Sequence, residues 1–395
     1  MRKILMASAA MAMALAAGSA SAEVKLGIIF GFTGPIESLT PPMAESAEMA
    51  MKEASDSGLL LGGETVTPVR ADSTCVDAAA ATAAAERLVT ADGVAAIVGA
   101  DCSGVTTAVA NNVAVPNGVV LISPSATSPA LTTIDDKGYF FRTAPSDARQ
   151  GQVLANIVKE RGVKTVAVSY TNNDYGKGLA DSFGSAFEAM GGKVAISAAH
   201  EDGKADYSAE VGALAAASAE ALVVFGYVDQ GGKGIIQSSL DTGAYSTFFM
   251  ADGMVGDSLI AAIGDDLAGT VATLPGSDSA GAQKFLDLAA AAGKDGNGPF
   301  RGESYDAAAL ILLAMQAAGS ADRAAIQSKV MSVANAPGEK IMPGELGKAL
   351  KILAEGGEVD YVGATNVELT EVGEAAGSYK ELEVANGKFE TKSVR

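Results

Sequence analysis

The chain has 395 residues, more than one compact core usually takes, so two domains are expected. Acidic residues outnumber basic ones by 47 to 28, for a formal net charge of −19. This excess argues against nucleic acid or an anionic membrane as a partner. The single histidine, His200, removes most histidine-based zinc sites and makes a Ser-His-Asp triad hard to assemble. His200 lies in the polar stretch SAAHEDGKADY, where we expect a surface side chain.

The first 22 residues have the pattern of a secretory signal peptide. Arg2 and Lys3 form a basic start, residues 4–17 are apolar, and Ala20–Ala22 supplies the small residues that signal peptidase recognises. The apolar run is too short to span a bilayer. We therefore expect cleavage after Ala22 and an exported soluble protein that begins at Glu23.

Two cysteines, Cys75 and Cys102, lie early in the chain. In an exported protein an isolated pair is more typical of a disulfide than of a metal site. A bond across a loop of this size stabilises by roughly 3–4 kcal/mol on the chain-entropy model. Two buried free thiols are the alternative.

Short apolar runs rich in β-branched residues alternate with Ala-rich amphipathic segments, and the rhythm restarts after Phe140–Arg142. The predicted strands are Val24–Phe30, Val66–Ala71, Val94–Val98, Val119–Ile122, Thr165–Ser169, Lys193–Ala198, Ala221–Phe225 and Thr247–Met250. The predicted helices are Pro42–Ser55, Ala78–Thr90, Ser103–Val113, Gly151–Arg161, Gly178–Met190, Tyr207–Ala217 and Gly231–Ser239. This alternation predicts an α/β fold of two doubly wound, Rossmann-like lobes.

Polar residues cluster just after these strands, where ligands of open α/β sheets bind. The first lobe offers Ser103, Ser125 and Thr127, whose hydroxyls and neighbouring amides suit an anion. The second lobe offers tyrosines and Asp252, an acceptor for an ammonium group. Together they suit an α-amino acid, although each residue taken alone is also a common helix cap or turn residue.

At these residues the chain resembles the type I periplasmic binding proteins of ABC importers, in the leucine/isoleucine/valine-binding branch. The matching stretches are KLGIIFGFTGP, VGADCSG, ISPSATSPALT, YFFRTAPSDARQG, NNDYGKGLADSF, DYSAEVGAL, MADGMVGDSLI and ESYDAAALILLA, with YVGATNVEL and VANGKFE near the end. They cover nearly the whole chain after the signal peptide, and ISPSATSP together with DYGKG is the most specific part.

The resemblance implies a role for individual residues. Ser103 matches the contact to the ligand carboxylate, Ser125 matches a position that binds through its backbone, and Thr127 matches the threonine that binds both ends of the amino acid. Ala126, between Ser125 and Thr127, is also expected at the ligand. Tyr175 and Tyr227 resemble the tyrosines that close over the ligand, and Asp252 stands where an acidic residue holds the ammonium group. Cys75 and Cys102 match the family's first-lobe disulfide, and Tyr305 matches a position near the ligand side chain.

Three positions depart from the family pattern. Leu39 stands near the place of an aromatic residue that shapes the side-chain pocket, with Glu37 two residues before it. Ser125 replaces a small apolar residue, and Asp252 is one methylene shorter than glutamate. These departures leave the identity of the ligand's side chain undetermined. If Glu37 points into the cleft, a ligand with a second polar or cationic end becomes possible.

The resemblance also implies a three-segment hinge, with lobe one at 23–142 plus 273–374 and lobe two at 143–272 plus 375–395. It implies a monomeric periplasmic receptor, without cofactor or metal, that delivers a small solute to an inner-membrane permease. Aromatic carboxylates and amides or urea are the alternative ligands. A ligand sensor and a hydrolase are the alternative functions, and no G-x-S-x-G elbow or nucleotide-binding loop supports an enzyme.

Overall fold

The computed structural model describes residues 23–395, which form two α/β lobes. The predicted signal peptide of residues 1–22 and its cleavage after Ala22 lie outside the described residues. No helix within 23–395 combines the length and the apolar character needed to cross a membrane.

The strands of this part of the chain are numbered in chain order. They are β1 (Glu23–Phe30), β2 (Thr65–Asp72), β3 (Ala96–Gly99), β4 (Leu121–Ser123), β5 (Phe140–Arg142), β6 (Thr165–Thr171), β7 (Lys193–His200), β8 (Ala221–Phe225), β9 (Phe248–Met250), β10 (Val271–Pro275), β11 (Glu339–Ile341), β12 (Val359–Tyr361), β13 (Tyr379–Ala385) and β14 (Lys388–Val394).

The helices connect and cover these strands. They are α1 (Thr40–Asp56), α2 (Ala78–Thr90), α3 (Ser103–Val109), α4 (Asp147–Glu160), α5 (Asp174–Ala189), α6 (Ser208–Ala216), α7 (Gly231–Thr242), α8 (Asp257–Ile263), α9 (Ala280–Ala291), α10 (Arg301–Ala318), α11 (Arg323–Gln327), α12 (Val330–Ala334) and α13 (Leu346–Ala354).

Each lobe is built on one sheet. The first sheet has the order β2-β1-β3-β4-β5 and is parallel throughout. The second has the order β14-β13-β10-β9-β8-β6-β7 and is parallel except for the antiparallel β13 and β14. The pair β11-β12 forms a small third sheet. The predicted fold of two doubly wound lobes is confirmed.

The central strands are continuous apolar runs because helices cover both faces of each sheet. Every residue of β3, β4 and β8 is buried. Helix starts are fixed by side-chain caps, as at Asp77 before α2 and Ser146 before α4. Asn173 caps α5 in the same way, so this helix begins four residues before the Gly178 predicted from the sequence.

The chain passes between the lobes three times. It leaves the first sheet after Arg142, returns between Pro275 and Ala280, and joins the second sheet again at Tyr379. The second passage lies a few residues beyond the boundary placed at 272/273, because β10 pairs with β9 and β13 up to Pro275. The first and third passages lie side by side, since Arg142 and Glu374 form an isolated parallel bridge.

His200 is not the surface residue that its polar surroundings predicted. It ends β7 with its ring 1 % exposed, and Nδ1 is hydrogen-bonded to the Ser169 hydroxyl at 2.8 Å. The stretch that follows is polar, but His200 itself is the last inward-facing residue of the strand. Burial lowers the pKa of His200 to about 4, so the ring is neutral at physiological pH.

Candidate functional site

A small cavity lies between the two lobes, beyond the carboxyl ends of their strands. The first lobe lines it with Ile36, Leu39, Met43, Asp101, Cys102, Ser103, Ser125 and Phe300. The second lobe lines it with Tyr175, Tyr227, Asp252 and Gly253.

The lobes touch at the rim of this cavity, so the molecule is in a closed form. The backbone N–H of Asp229 donates to the carbonyl of Pro35 at 3.0 Å, and the backbone N–H of Ser38 donates to the Asp229 carboxylate at 2.9 Å. The hydroxyls of Ser38 and Ser258 are 3.2 Å apart. These contacts enclose the cavity between the lobes.

The hydroxyls of the first-lobe wall are held by the protein itself. Ser103, the first residue of α3, accepts a hydrogen bond from the Ser128 N–H at 3.1 Å through Oγ. The Ser125 hydroxyl donates to the carbonyl of Asp101 at 3.0 Å. The carboxylate of Asp101 accepts from the Gly31 N–H at 2.5 Å and from the Ser73 hydroxyl at 2.9 Å. Burial raises the pKa of Asp101, while these two bonds oppose the rise.

A disulfide joins Cys75 and Cys102, as predicted. Cys102 lies directly between Asp101 and Ser103, both of which line the cavity. The bond therefore ties this wall to the loop after β2.

The second-lobe wall is made of two stacked tyrosines and a carboxylate. The rings of Tyr175 and Tyr227 are 5.3 Å apart between centroids and nearly parallel. Tyr175 accepts from the Gly253 N–H at 3.1 Å, and Tyr227 accepts from the Asn173 amide at 3.3 Å. The hydroxyl hydrogen of Tyr227 therefore remains free for another acceptor, while the Tyr175 hydroxyl lies beside Asp252 and lowers its pKa.

Asp252 faces the cavity with an unsatisfied charge. It is 2 % exposed, and its Oδ1 has no hydrogen-bond partner among the described residues. Burial raises the pKa of Asp252 to about 7, against the side chains of Gln150 and Tyr175, which act in the opposite direction. A buried carboxylate of this kind is stabilised when a hydrogen-bond donor or a cation binds to it.

Two of the other predicted residues lie behind the cavity wall. Ala126 is buried, its N–H donates to the Ser123 hydroxyl at 2.9 Å, and its carbonyl accepts from Arg142 at 3.0 Å. Thr127 is also buried, and its hydroxyl has no partner within residues 23–395.

Glu37 and Tyr305 do not line the cavity. Glu37 is exposed, which leaves the cavity without the second charged end that Glu37 would have supplied. Tyr305 is fully buried in the first lobe, where its hydroxyl hydrogen-bonds to Glu53 and its ring packs near Phe285. Leu39 does line the cavity.

Several lining residues escaped the sequence analysis. Phe300 comes directly before α10, in a left-handed conformation (φ 56°), and the sequence places it more than 40 residues after Asp252. Ile36 and Met43 flank the Leu39 that was considered. Asp101 directly follows a predicted strand and precedes Ser103, so its position at a strand end was the signal that could have found it.

The lining combines apolar, hydroxyl and acidic groups. Of the described residues that line the cavity, two are acidic and none is basic. Within 23–395 no group of three or more His, Cys, Asp or Glu side chains is arranged to hold a metal ion. The cavity is suited to a small molecule that brings N–H donors and an apolar part.

Two doubly wound lobes that close over one small polar-apolar cavity define the class of type I periplasmic solute receptors. The chain belongs to the periplasmic binding protein family, whose sequence profile matches residues 23–347. Members of this family bind small solutes such as amino acids and work with ABC permeases.

Known relatives extend over most of the chain. The leucine-, isoleucine-, valine-, threonine- and alanine-binding protein of Pseudomonas aeruginosa is 29% identical over 80% of this chain and 84% of its own. A branched-chain amino acid binding protein of Streptococcus pneumoniae, solved with isoleucine, is 24% identical with a TM-score of 0.75, covering 94% of this chain and 99% of that one. A solute-binding protein of R. palustris, solved with benzoate, is 18% identical with a TM-score of 0.73, covering 94% and 96%.

Proposed function

We propose that this protein is the receptor of an ABC importer for an α-amino acid with an uncharged side chain. The observation that carries the proposal is the Asp252 carboxylate, which is buried in the closed cavity with an unpartnered oxygen. The ammonium group of an amino acid supplies both the charge and the donors that this oxygen lacks.

The first-lobe wall supports the other half of the ligand. The Ser103 oxygen already accepts from Ser128, so its own hydrogen is free to donate to a carboxylate. The free hydroxyl hydrogen of Tyr227 offers the same from the second lobe. The apolar side chains of Ile36, Leu39, Met43 and Phe300 suit a small aliphatic ligand side chain.

Aromatic carboxylates such as the benzoate of the R. palustris protein fit less well. An anion without an amine would leave Asp252 unpaired and would add a second negative charge to a cavity lined by no basic residue. Neutral amides and urea offer N–H donors to Asp252 but no carboxylate for Ser103 and Tyr227. The amino acid satisfies both walls at once.

A thermal-shift screen tests the ligand class. We would compare the twenty amino acids, benzoate, 4-hydroxybenzoate, urea and propionamide, each at about 100-fold an expected micromolar Kd. A true ligand stabilises by about 2.7 kcal/mol under such conditions. We expect aliphatic amino acids to give the largest shift and the aromatic acids none. A larger shift with benzoate than with any amino acid contradicts the proposal.

We also infer that the chain is exported, cleaved after Ala22, and active as a monomer without chemistry of its own. N-terminal sequencing of periplasmic protein checks the cleavage site, and sedimentation checks the monomer. Turnover of candidate esters or amides contradicts the assignment as a receptor. Uptake of labelled ligand by cells with and without the protein separates transport from sensing, because a sensor leaves uptake unchanged.

A further inference from the structure

A second cavity lies beside the hinge, apart from the cavity between the lobes. Its volume is about 250 Å³, and the two cavities share no lining residue. At about 30 Å³ for each water molecule, the second cavity holds roughly eight waters, so an organic molecule of several carbon atoms fits. It is therefore large enough for a ligand of its own.

Both lobes and the second passage between them line this hinge-side cavity. The passage contributes residues 275–279, α10 of the first lobe contributes Gly302 and Glu303, and β13 of the second lobe contributes Lys380. The apolar part of the lining includes Leu274, Phe285, Leu286 and Ala364. A molecule in this cavity contacts the two lobes at once.

Glu303 brings a buried carboxyl group to the hinge-side cavity. It is 4 % exposed, and its carboxyl group has no hydrogen bond or salt bridge to another of the described residues. Its backbone carbonyl accepts from the Thr143 hydroxyl at 2.8 Å, which holds the start of α10 against the first passage. Burial raises the pKa of Glu303 to about 8, while its own backbone N–H and the charge of Lys380 oppose the rise. A hydrogen-bonding group in the cavity would stabilise this desolvated carboxyl group.

Lys380 brings a positive charge to the same cavity from the other lobe. It pairs with Leu274 of β10, and its side chain lies along Gly276 in the second passage. A methyl group at Gly276 would lie 3.0 Å from Cε and 3.4 Å from Nζ of Lys380, so the absence of a side chain there gives the lysine its path. Lys380 acts on Glu303 only through space, and its ammonium group forms no salt bridge within residues 23–395. The ammonium is thus available to an anion in the cavity.

Hydroxyl groups complete the polar lining. Ser277 donates to Ser279 at 2.9 Å, and Ser279 accepts from the Ala282 N–H at 3.2 Å, so the hydroxyl hydrogen of Ser279 is free to donate. The Thr365 hydroxyl donates to the Asp306 carboxylate at 2.7 Å and can only accept from a ligand. The remaining charged residue of the lining, Asp278, is exposed to solvent. The buried part of the lining therefore combines a cation, a carboxyl group and hydroxyls.

We propose that the hinge-side cavity is a second ligand site, which takes a small hydroxycarboxylate. The carboxylate of the ligand pairs with the Lys380 ammonium and accepts from the Ser279 hydroxyl. The hydroxyl of the ligand bonds to Glu303, and because a hydroxyl both donates and accepts, it suits this group in either protonation state. Such a ligand has no amine, so it differs from the solute of the cavity between the lobes.

Occupancy of this site is coupled to lobe closure. Glu303 moves with the first lobe and Lys380 with the second, so a change in the angle between the lobes changes the distance across the cavity. A ligand that spans both residues favours the angle that fits it, which here is that of the closed form. By linkage, the ligand then raises the affinity of the cavity between the lobes for its own solute, by about fivefold or more.

A thermal-shift measurement tests the site on the wild type after signal-peptide removal, with no solute present. The probes are glycolate, L-lactate and L-malate, and the controls at equal ionic strength are acetate and propionate, which lack the hydroxyl. We expect Tm to rise by about 2 °C or more with at least one probe and not with the controls. No rise with any probe overturns the site. An equal rise with propionate and L-lactate overturns the ligand class, because nonspecific anion binding does not need the hydroxyl.

Two variants assign the effect to this cavity. Lys380→Met keeps the length of the side chain without its charge, and Glu303→Leu removes the carboxyl group, so both should lose the rise in Tm. Lys388→Met is the matched control, because Lys388 lies on the neighbouring strand β14 and does not line the hinge-side cavity. It should keep the full rise. An undiminished rise in Lys380→Met overturns the site. If Glu303→Leu does not fold, the comparison of L-lactate with propionate in the wild type still decides the role of the hydroxyl.

Calorimetry with L-leucine tests the coupling separately, and this part rests on the proposed function because its solute is an amino acid. The Kd for L-leucine should fall about fivefold or more in the presence of the probe that gives the largest rise in Tm, and should not change in Lys380→Met. An unchanged Kd in the wild type overturns the coupling. If L-leucine and the other amino acids do not bind at all, the proposed function fails, and the thermal-shift comparison still decides whether the hinge-side site exists.

Discussion

The two walls of the cavity differ in how their polar groups are satisfied. On the first lobe, Asp101, Ser103 and Ser125 are all hydrogen-bonded to the protein itself. On the second lobe, Asp252 has an unpartnered oxygen, and both carboxylate oxygens of the buried Asp147 at the start of α4 are unpartnered as well. The polar groups of the first wall have their hydrogen-bond partners before a ligand arrives, whereas those of the second wall are satisfied only when a cation binds. A ligand can therefore dock on a pre-formed first wall and supply what the second wall lacks as the lobes close.

Removal of the Asp252 carboxylate from the second-lobe wall should have the largest effect on ligand affinity. Asp252→Ala deletes the group that compensates the ligand ammonium, so we expect Kd for an amino acid to rise on the order of a thousandfold, about 4 kcal/mol. Benzoate, which we do not expect the wild type to bind, should bind the variant no more weakly, because the negative charge that opposes it has been removed. Asp241→Ala, at an exposed position of α7, is the control for loss of one negative charge. Calorimetry with the amino acid and with benzoate measures both effects, and an unchanged Kd for the amino acid contradicts the role of Asp252.

The stability of the first lobe should depend on the disulfide between Cys75 and Cys102. A Cys75→Ser and Cys102→Ser double variant loses the constraint across 27 residues, so its free energy of unfolding should fall by about 3–4 kcal/mol. Urea denaturation measures this value. The wild type treated with a reducing agent is the control and should fall to the same level. A loss well under 1 kcal/mol would show that packing alone holds the wall.

The second lobe also holds an unpartnered atom outside the cavity, Nε2 of His200. Its pKa of about 4 lies below the ordinary 6.5, so the unfolded chain binds the proton first as pH falls. Stability from neutral His200 is complete above pH 6.5 and is lost as pH falls through 4, by about 3 kcal/mol in all.

The His200→Gln variant isolates this contribution. It should be less stable than the wild type at pH 7, and the gap should narrow by about 2–3 kcal/mol between pH 7 and pH 4. Denaturant unfolding across this pH range measures the gap, and ligand affinity at pH 7 should not change. Parallel stability curves for the two proteins would contradict a buried neutral ring.

The smallest effect is expected at Ser125. Its hydroxyl donates to the carbonyl of Asp101, so Ser125→Ala removes one neutral hydrogen bond at a half-buried position. We expect a stability loss of about 0.5–1 kcal/mol and a threefold change in Kd at most, roughly. A loss of tenfold or more in Kd, measured by calorimetry, would mean that Ser125 contacts the ligand through its side chain.

The sequence predicted the fold well because its signals are local. Apolar runs such as Ala221–Phe225 and capped helices such as Ala78–Thr90 lie at their predicted bounds. The C-terminal part was harder, since α10 is buried nearly all round and has no amphipathic period to reveal its neighbours. The burial of His200 depends on whether one residue ends a strand or begins a loop, which composition does not decide.

The site was predictable where a residue directly follows a strand. Ser103, Ser125 and Asp252 were found in this way, and all three line the cavity. Phe300 was missed because it follows a loop whose path depends on the tertiary structure. The unpartnered state of Asp147 is a property of everything packed around it, and no short motif encodes it.

The hydrogen bonds at the rim of the cavity affect when a bound solute can be released. Asp229 accepts from the Ser38 N–H and the Ser258 hydroxyl while its own N–H donates to Pro35, so four residues latch the lobes at one point. A solute inside leaves only after this latch opens, so the rim hydrogen bonds add to the contacts of the solute itself in setting its residence time. A membrane partner that grips the rim residues and spreads them can unload the cargo without reaching into the cavity or competing for its walls.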